Sequence, residues 1–461
     1  MKYISTRGRS APVDFLTACL AGLAPDGGLY VPETYPQIAR PEPGESYLAT
    51  ASKVLKAFAG DAVTEDEMTA LCEAAYAGFA HKSVAPLVQL GPDAFMMELH
   101  HGPTLAFKDV AMQFIGQLYD WALERQGRRM TIVCATSGDT GGAAAGAFAG
   151  SKNIDLVILH PHERISPVQR LFMTTTGAEN VHNLALEGDF DVCQSIVKSL
   201  FAESGFVERV GLSGVNSINW ARIAAQSVYY ATAQAAMGAD HPLRFIVPSG
   251  NMGDALAGYV AARCGLLSGF ELICAVNEND ALRQVLETGH MSRSTTIATP
   301  SPAMDITVPS NLERVLFEAS GRDAEAISAL YGAFAQSGDV ELPDTVKGPL
   351  GCMGFSATTI SNGDTLAEMR RIKQETGWAI CPHTAVGTNA AARAPHSTAT
   401  DIVLSTAHAA KFPETVEEAI GERPGLPARC DGAIGAEEHF SILPAEQSAV
   451  RDYILKLTAG R

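Results

Sequence analysis

Apolar residues recur at helical spacing over positions 47–81, with Val54 and Phe58 on one stripe and Met68, Leu71, Cys72 and Ala75 on a second. That spacing predicts a small helical unit near the N-terminus. Downstream the pattern changes to short Ile- and Val-containing runs that precede glycine-rich turns and then helices, as in a parallel α/β sheet. Two such units stand out: TIVCAT (131–136) runs into SGDTGG (137–142) and an Ala-rich helix, and RFIVP (244–248) runs into SGNMGD (249–254) and a second helix. Further strands are predicted at 272–276, 378–381 and 401–404, and helices at 110–124, 416–420 and 445–457. The stretch from 413 onward carries no pattern of chemical interest and is expected to be structural.

At 461 residues the chain exceeds one ordinary core. The pattern divides it into an N-terminal unit (1–88), a smaller α/β domain holding Lys108 and the Ser137 loop (89–240), and a larger α/β domain with C-terminal helices (241–461). A net charge of −17 disfavours nucleic acid and anionic membranes as partners, so any bound anion must be caught by locally aimed donors. Nine scattered cysteines, without a C-x-x-C pair, argue against a disulfide framework or structural zinc and for a reducing compartment. Charged residues interrupt the N-terminal apolar positions and no apolar run approaches membrane-spanning length, so a cytoplasmic location is expected. No His, Cys or carboxylate spacing suggests a metal site.

Backbone amides exposed by glycines at a helix start form an anion cradle. The 249–254 loop has that form, although a tight strand-to-helix connection uses the same residues. The 137–142 loop adds the hydroxyls of Ser137 and Thr140 beside backbone amides, which suits a carboxylate. Two cradles imply a ligand set with two anionic ends. Neither loop has the G-x-G-x-x-G spacing of a dinucleotide site, which counts against a nicotinamide-dependent dehydrogenase. One lysine, Lys108, follows an apolar turn and precedes a helix. Desolvation there disfavours its ammonium form, and a neutral amine is what attacks an aldehyde; a snorkelling surface lysine is the ordinary alternative.

The strings HGPTLAFKD (101–109), ATSGDTGG (135–142), PSGNMGDALAG (248–258), MDITVPSNLERVLF (304–317) and STAHAAKF (405–412), in this order, resemble the bacterial and fungal threonine synthase family, as does APDGGLYVPE (24–33). The resemblance implies an α/β, fold-type II pyridoxal-phosphate enzyme, similar to the tryptophan synthase β subunit, with two sheet domains around a cleft plus the small helical N-terminal unit. By that match Lys108 holds pyridoxal 5'-phosphate and serves as the catalytic base. Gly250, Asn251, Met252, Gly253 and Asp254 surround the cofactor phosphate, and Thr406 places its hydroxyl on the pyridine nitrogen. Ser137, Asp139 and Thr140 receive the substrate carboxylate.

For the substrate phosphate the candidates are Arg164, Ser166 and Gln169 in one segment and Asn216, Asn219 and Arg222 in another, where either arginine could instead form an inter-domain salt bridge. His101 and His383 lie near the site as additional candidates, with structural hydrogen bonding the alternative, and His408 is expected to shape the Thr406 loop. The implied reaction turns O-phospho-L-homoserine and water into L-threonine and phosphate, in a monomer or homodimer. An eliminating relative would release a ketoacid instead, and a non-catalytic relative would bind cofactor without releasing phosphate.

Overall fold

In the computed structural model, which describes residues 1–459, the N-terminal helices form where the apolar stripes lie, at Tyr47–Ala59 and Glu65–Tyr76. Ser46 caps the first by accepting from the Ala49 amide, and Thr64 and Glu67 close a reciprocal capping box on the second. Val54, Phe58, Met68 and Leu71 turn inward. The unit is not purely helical, however. A three-stranded antiparallel sheet of Val13–Asp14, Lys2–Ser5 and Tyr30–Pro32 precedes the helices. Its strands are too short to show a period-2 pattern, and tertiary partners hold it: Tyr3 donates to the Phe58 carbonyl at 2.9 Å and Arg7 pairs with Glu313 at 3.0 Å.

Two larger sheets follow. One orders its six strands Phe355–Thr359, Leu272–Val276, Leu243–Pro248, Thr400–Ser405, Ala94–Glu98 and Leu87–Gly91, parallel throughout except for the last pair. The other orders Ser441–Leu443, Val181–Leu186, Ile154–Pro161, Met130–Ala135 and Leu212–Ser213, all parallel. Every residue of Ile154–Pro161 is buried, as expected for a parallel strand covered by helices on both faces.

The sheets interleave along the chain, so the contiguous division 1–88, 89–240 and 241–461 does not follow them. Leu87–Gly91 and Ala94–Glu98 join the larger sheet, while Ser441–Leu443 returns to the smaller one. The C-terminal helix Gln447–Leu457 goes with it, burying Val450 and Ile454 in one cluster with Cys193, Ile196 and Leu200.

The strand expected at 378–381 is absent. Both neighbours of Thr400–Ser405 in the sheet are already taken, by Leu243–Pro248 and Ala94–Glu98. The segment instead leads into the helix Pro382–Arg393, with Cys381 as its N-cap and Pro382 at its start. Among the described residues no helix is long and apolar enough to cross a membrane, and no cluster of His, Cys, Asp or Glu is arranged to hold a metal ion.

Candidate active site

Lys108 opens the helix Lys108–Gln126 at the end of a tightly closed turn. Asp109 closes that turn by accepting from the Thr104 amide at 2.8 Å and its hydroxyl at 2.6 Å. A Cβ on Gly102 would lie 2.3 Å from that of Asp109, so glycine is required there. The turn is locked to the chain beyond Ser405: the Phe107 amide donates to the Thr406 carbonyl at 2.8 Å and the His408 amide to the Leu105 carbonyl at 3.0 Å. Lys108 and Thr406 are thereby fixed beside each other, both buried. The Lys108 ammonium lies 3.3 Å from Asp139 Oδ2 and 4.6 Å from the Phe107 ring centre. Burial lowers its pKa from the ordinary lysine value; Asp139 opposes that, while Lys411 and Arg222 reinforce it.

The loop after Met130–Ala135 differs from a simple carboxylate cradle. Thr136 Oγ1 accepts from the Gly138 and Gly141 amides at 2.9 and 3.0 Å, so two of the expected donors are already used. Asp139 starts the helix Asp139–Phe148 and is buried. Its Oδ1 accepts from Lys411 at 2.8 Å and Gln169 at 3.0 Å, while Oδ2 faces Lys108. Burial works against ionising Asp139, but the charges of Lys411 and Lys108 outweigh it and hold the carboxyl well below the usual range. Ser137 is exposed and Thr140 half-buried, whereas Asp139 between them is buried.

The loop after Leu243–Pro248 is a different object. Met252 takes a left-handed backbone, φ 60°, before the helix Gly253–Arg263. The amides of Gly250, Asn251, Met252 and Gly253 find no acceptor among the described residues. A Cβ on Gly250 would sit 2.9 Å from the Ala303 carbonyl oxygen, so the loop is packed tightly from behind. Asn251 Oδ1 accepts from the Ser310 amide and hydroxyl at 3.2 and 3.0 Å, and its carbonyl from the Asn311 amide at 3.1 Å. The 304–317 string thus braces the loop.

Asp254 turns its carboxyl away from those amides toward Tyr229 and Tyr230, and burial pushes its pKa up to about 6 against the bonds from both phenols. Ser249 Oγ and Asp254 Oδ2 are buried without a partner among the described residues. Free amides at a helix start, close glycine packing and a carboxyl turned away toward two phenols fit the phosphate of pyridoxal phosphate, with Lys108 available to its aldehyde.

Arg222 is buried, donates to the Val215 carbonyl at 3.2 Å, and has an unpartnered Nε; burial lowers its pKa to about 10, opposed by Tyr229 and Asp254. Asn219 has another task. It caps the helix Trp220–Met237, accepting from the Ala221 amide at 3.0 Å and donating to the Cys19 carbonyl and Tyr119 hydroxyl at 2.8 and 2.7 Å. Its donors and acceptor are therefore engaged within the protein, behind Arg222. Ser166 caps the helix Pro167–Thr174, which presents Gln169, and Arg164 lies exposed beside it. His383 Nε2 accepts from the Ala303 amide at 3.2 Å, and His101 pairs with Glu98 at 2.8 Å. His408 does shape its loop, accepting from the Ala410 amide at 3.1 Å. Lys411 was not anticipated, although its signal, a lone lysine in an apolar string, is the one that singled out Lys108.

Family models match in three blocks: "Threonine synthase N terminus" over residues 2–76, "Pyridoxal-phosphate dependent enzyme" over 83–334, and "Threonine synthase, C-terminal" over 384–454. The chain is 42% identical to threonine synthase from Pseudomonas aeruginosa, covering 98% of each. It superimposes on the pyridoxal-phosphate-bound threonine synthase of Brucella melitensis with a TM-score of 0.94 and 45% identity, covering 99% of each chain. The yeast threonine synthase gives 0.92 and 34%, covering 100% of this chain and 99% of that one. Maize serine racemase shares the fold alone, at a TM-score of 0.51 and 15% identity. The fold expected from the resemblance is the one found, and the chain belongs to the threonine synthase family of pyridoxal-phosphate-dependent enzymes.

Proposed function

We propose that this protein converts O-phospho-L-homoserine and water into L-threonine and inorganic phosphate, with pyridoxal phosphate held at Lys108. The observation that carries this reading is the buried Lys108 amine, set between a neutral amide cradle on the larger sheet and a charged loop on the smaller one. The amides of Gly250, Asn251, Met252 and Gly253 hold the cofactor phosphate at the positive end of their helix. Asp254 points its carboxyl away from that spot, to the hydroxyls of Tyr229 and Tyr230. Thr406, buried beside Lys108, would offer a neutral hydroxyl to the ring nitrogen, and such a partner would not hold that nitrogen protonated.

Bound pyridoxal phosphate supplies an electron sink that makes protons on the neighbouring substrate carbons removable. Lys108 Nζ, its pKa lowered by burial, takes and returns those protons as the general base. Ser137, Asp139 and Thr140 form the loop that receives the amino-acid carboxylate. The Arg222 guanidinium, with its free Nε, binds the substrate phosphate and stabilises it as it departs. Asn219 anchors the helix that carries Arg222, and Ser166 and Arg164 stand at the rim. One chain supplies all these groups, so a monomer or a homodimer is compatible with activity. Nine free cysteines, eight of them buried, suit a cytoplasmic enzyme.

The test is to give the purified protein pyridoxal phosphate and O-phospho-L-homoserine and to assay phosphate and threonine in one tube. Equal amounts of both are expected. Phosphate accompanied by a ketoacid would sink the product assignment, and no phosphate at all would sink the activity.

A further inference from the structure

Lys411 has no place in the reaction as described, yet it is fully buried, at 0% exposure. Its ammonium donates to the Thr104 carbonyl at 2.8 Å and lies 2.8 Å from Asp139 Oδ1, with the Phe172 ring centre 5.3 Å away. It therefore touches the turn that delivers Lys108 and the carboxylate that faces Lys108. A buried cation held in this way is costly unless its charge is answered and its donors are used. Here the answer is Asp139, which also takes a bond from Gln169 on the same oxygen at 3.0 Å.

The arrangement resolves a conflict. A carboxylate 3.3 Å from Lys108 orients its amine, but an unshared negative charge at that distance would also favour the ammonium. An amine held as ammonium neither attacks an aldehyde nor accepts a proton. We propose that Lys411 is a positioning residue: it takes up the charge of Asp139, so that this carboxylate aims the Lys108 amine without holding its proton.

The other charged or titratable groups around Lys108 do not supply that balance. Arg222 donates to the Val215 carbonyl and feels the charge of Asp254 rather than that of Asp139, and His383 is spent on the Ala303 amide. Asp109 is occupied by Thr104. The inference rests on Lys108 being the cofactor lysine, and its test therefore reads cofactor attachment and the lysine at which it occurs.

The experiment strips the full-length protein of cofactor, adds pyridoxal phosphate over a range of pH, and follows its attachment by absorbance. Borohydride fixation and peptide mass then identify the lysine. In Lys411→Met the charge of Asp139 falls on Lys108 alone; attachment near neutral pH should slow about tenfold and its pH profile move about one unit alkaline. Asp139→Asn leaves Lys411 unanswered and should move the profile the other way. The double variant K411M/D139N, lacking both charges, should return close to the parent profile.

An unshifted profile in Lys411→Met overturns the inference, as does a double variant shifted as far as the single one. If the single variant does not fold, the double variant decides alone: a parent-like profile supports the proposal and a displaced one overturns it. Attachment in the parent at a lysine other than Lys108 overturns the reading of the site itself, and with it this inference.

Discussion

The loop after Met130–Ala135 and the loop after Leu243–Pro248 both leave a parallel strand through Ser-Gly and open a helix, and their sequences look like two versions of one cradle. In the structure they handle charge in opposite ways. The first gathers ionised groups, with Asp139 between Lys108 and Lys411, and uses two of its own amides on Thr136. The second keeps its amides open and turns its acid, Asp254, away from them to Tyr229 and Tyr230. A fixed anion needs a rigid set of donors with no competing charge, whereas an amine that takes and releases protons needs charges balanced around it. The same Ser-Gly start serves both because the loop sets backbone geometry, while distant side chains set the electrostatics.

The largest expected effect breaks the charged side of this contrast. In Lys108→Ala, turnover of O-phospho-L-homoserine should fall by at least about a thousandfold, since no other group there takes its place as nucleophile and base. The absorbance band that marks covalently held cofactor should vanish, while weak binding through the amide cradle persists. Near-normal turnover would remove Lys108 from the chemistry and leave the two loops without a common purpose.

The open-amide side is probed next through stability. The carboxyl of Asp254 has a folded pKa of about 6, raised chiefly by burial. Between about pH 4 and about pH 6 the folded state therefore binds more protons than the unfolded state, and stability from this group is lost as pH rises. The loss amounts to about 3 kcal/mol and is complete above the folded pKa. In Asp254→Asn that slope disappears, so the cofactor-free variant should gain on the parent across this window in urea unfolding and hold its advantage above it. Parallel curves for the two proteins would mean that burial does not raise the Asp254 pKa.

How much of this was legible from the chain depends on whether a role demands a particular residue. Lys108 and the two glycine loops each had an ordinary alternative, a snorkelling lysine or a tight strand-to-helix turn, and the strings around them, through their resemblance to a family, singled them out. Asp139 reads from the sequence as a partner for the substrate alone, since its ties to Lys411 and Gln169 depend on segments far apart in sequence. Strand Ile154–Pro161 escaped notice because, buried on both faces, it has no alternation to read. The hairpin Leu87–Gly91 and Ala94–Glu98 is poor in β-branched residues, and its place in the larger sheet is set by pairing with Thr400–Ser405. Residues 378–381 carry strand-like apolar positions, but Pro382 and a filled sheet made them a helix entry.

Between the two loops lies Arg222, whose free Nε and single carbonyl bond make it the open donor of the cleft. Arg222→Lys keeps the charge but loses the planar fork, and kcat/KM should fall by about 2 kcal/mol, roughly thirtyfold. Because the cofactor cradle is separate, cofactor retention should be unchanged. Equal losses of cofactor and turnover would place Arg222 with the cofactor and erase the division of labour.

The smallest effect expected is the sharpest test of the cradle. A methyl group on Gly250 would stand 2.9 Å from the Ala303 carbonyl oxygen and 3.0 Å from Ile306 Cγ1, so either the loop or the 301–306 segment must move. That segment is held by Asp305, which accepts from Asn277 at 2.8 Å and from Thr299 at 2.6 Å, so the loop is the part that yields. Overpacking of this kind costs about 1 kcal/mol or somewhat more. Gly250→Ala should therefore release pyridoxal phosphate on dialysis about tenfold more readily, while the variant saturated with cofactor keeps most of its turnover. Lost turnover at full cofactor occupancy would mean that the cradle acts on the reaction itself, and the contrast between a static loop and a working one would fail.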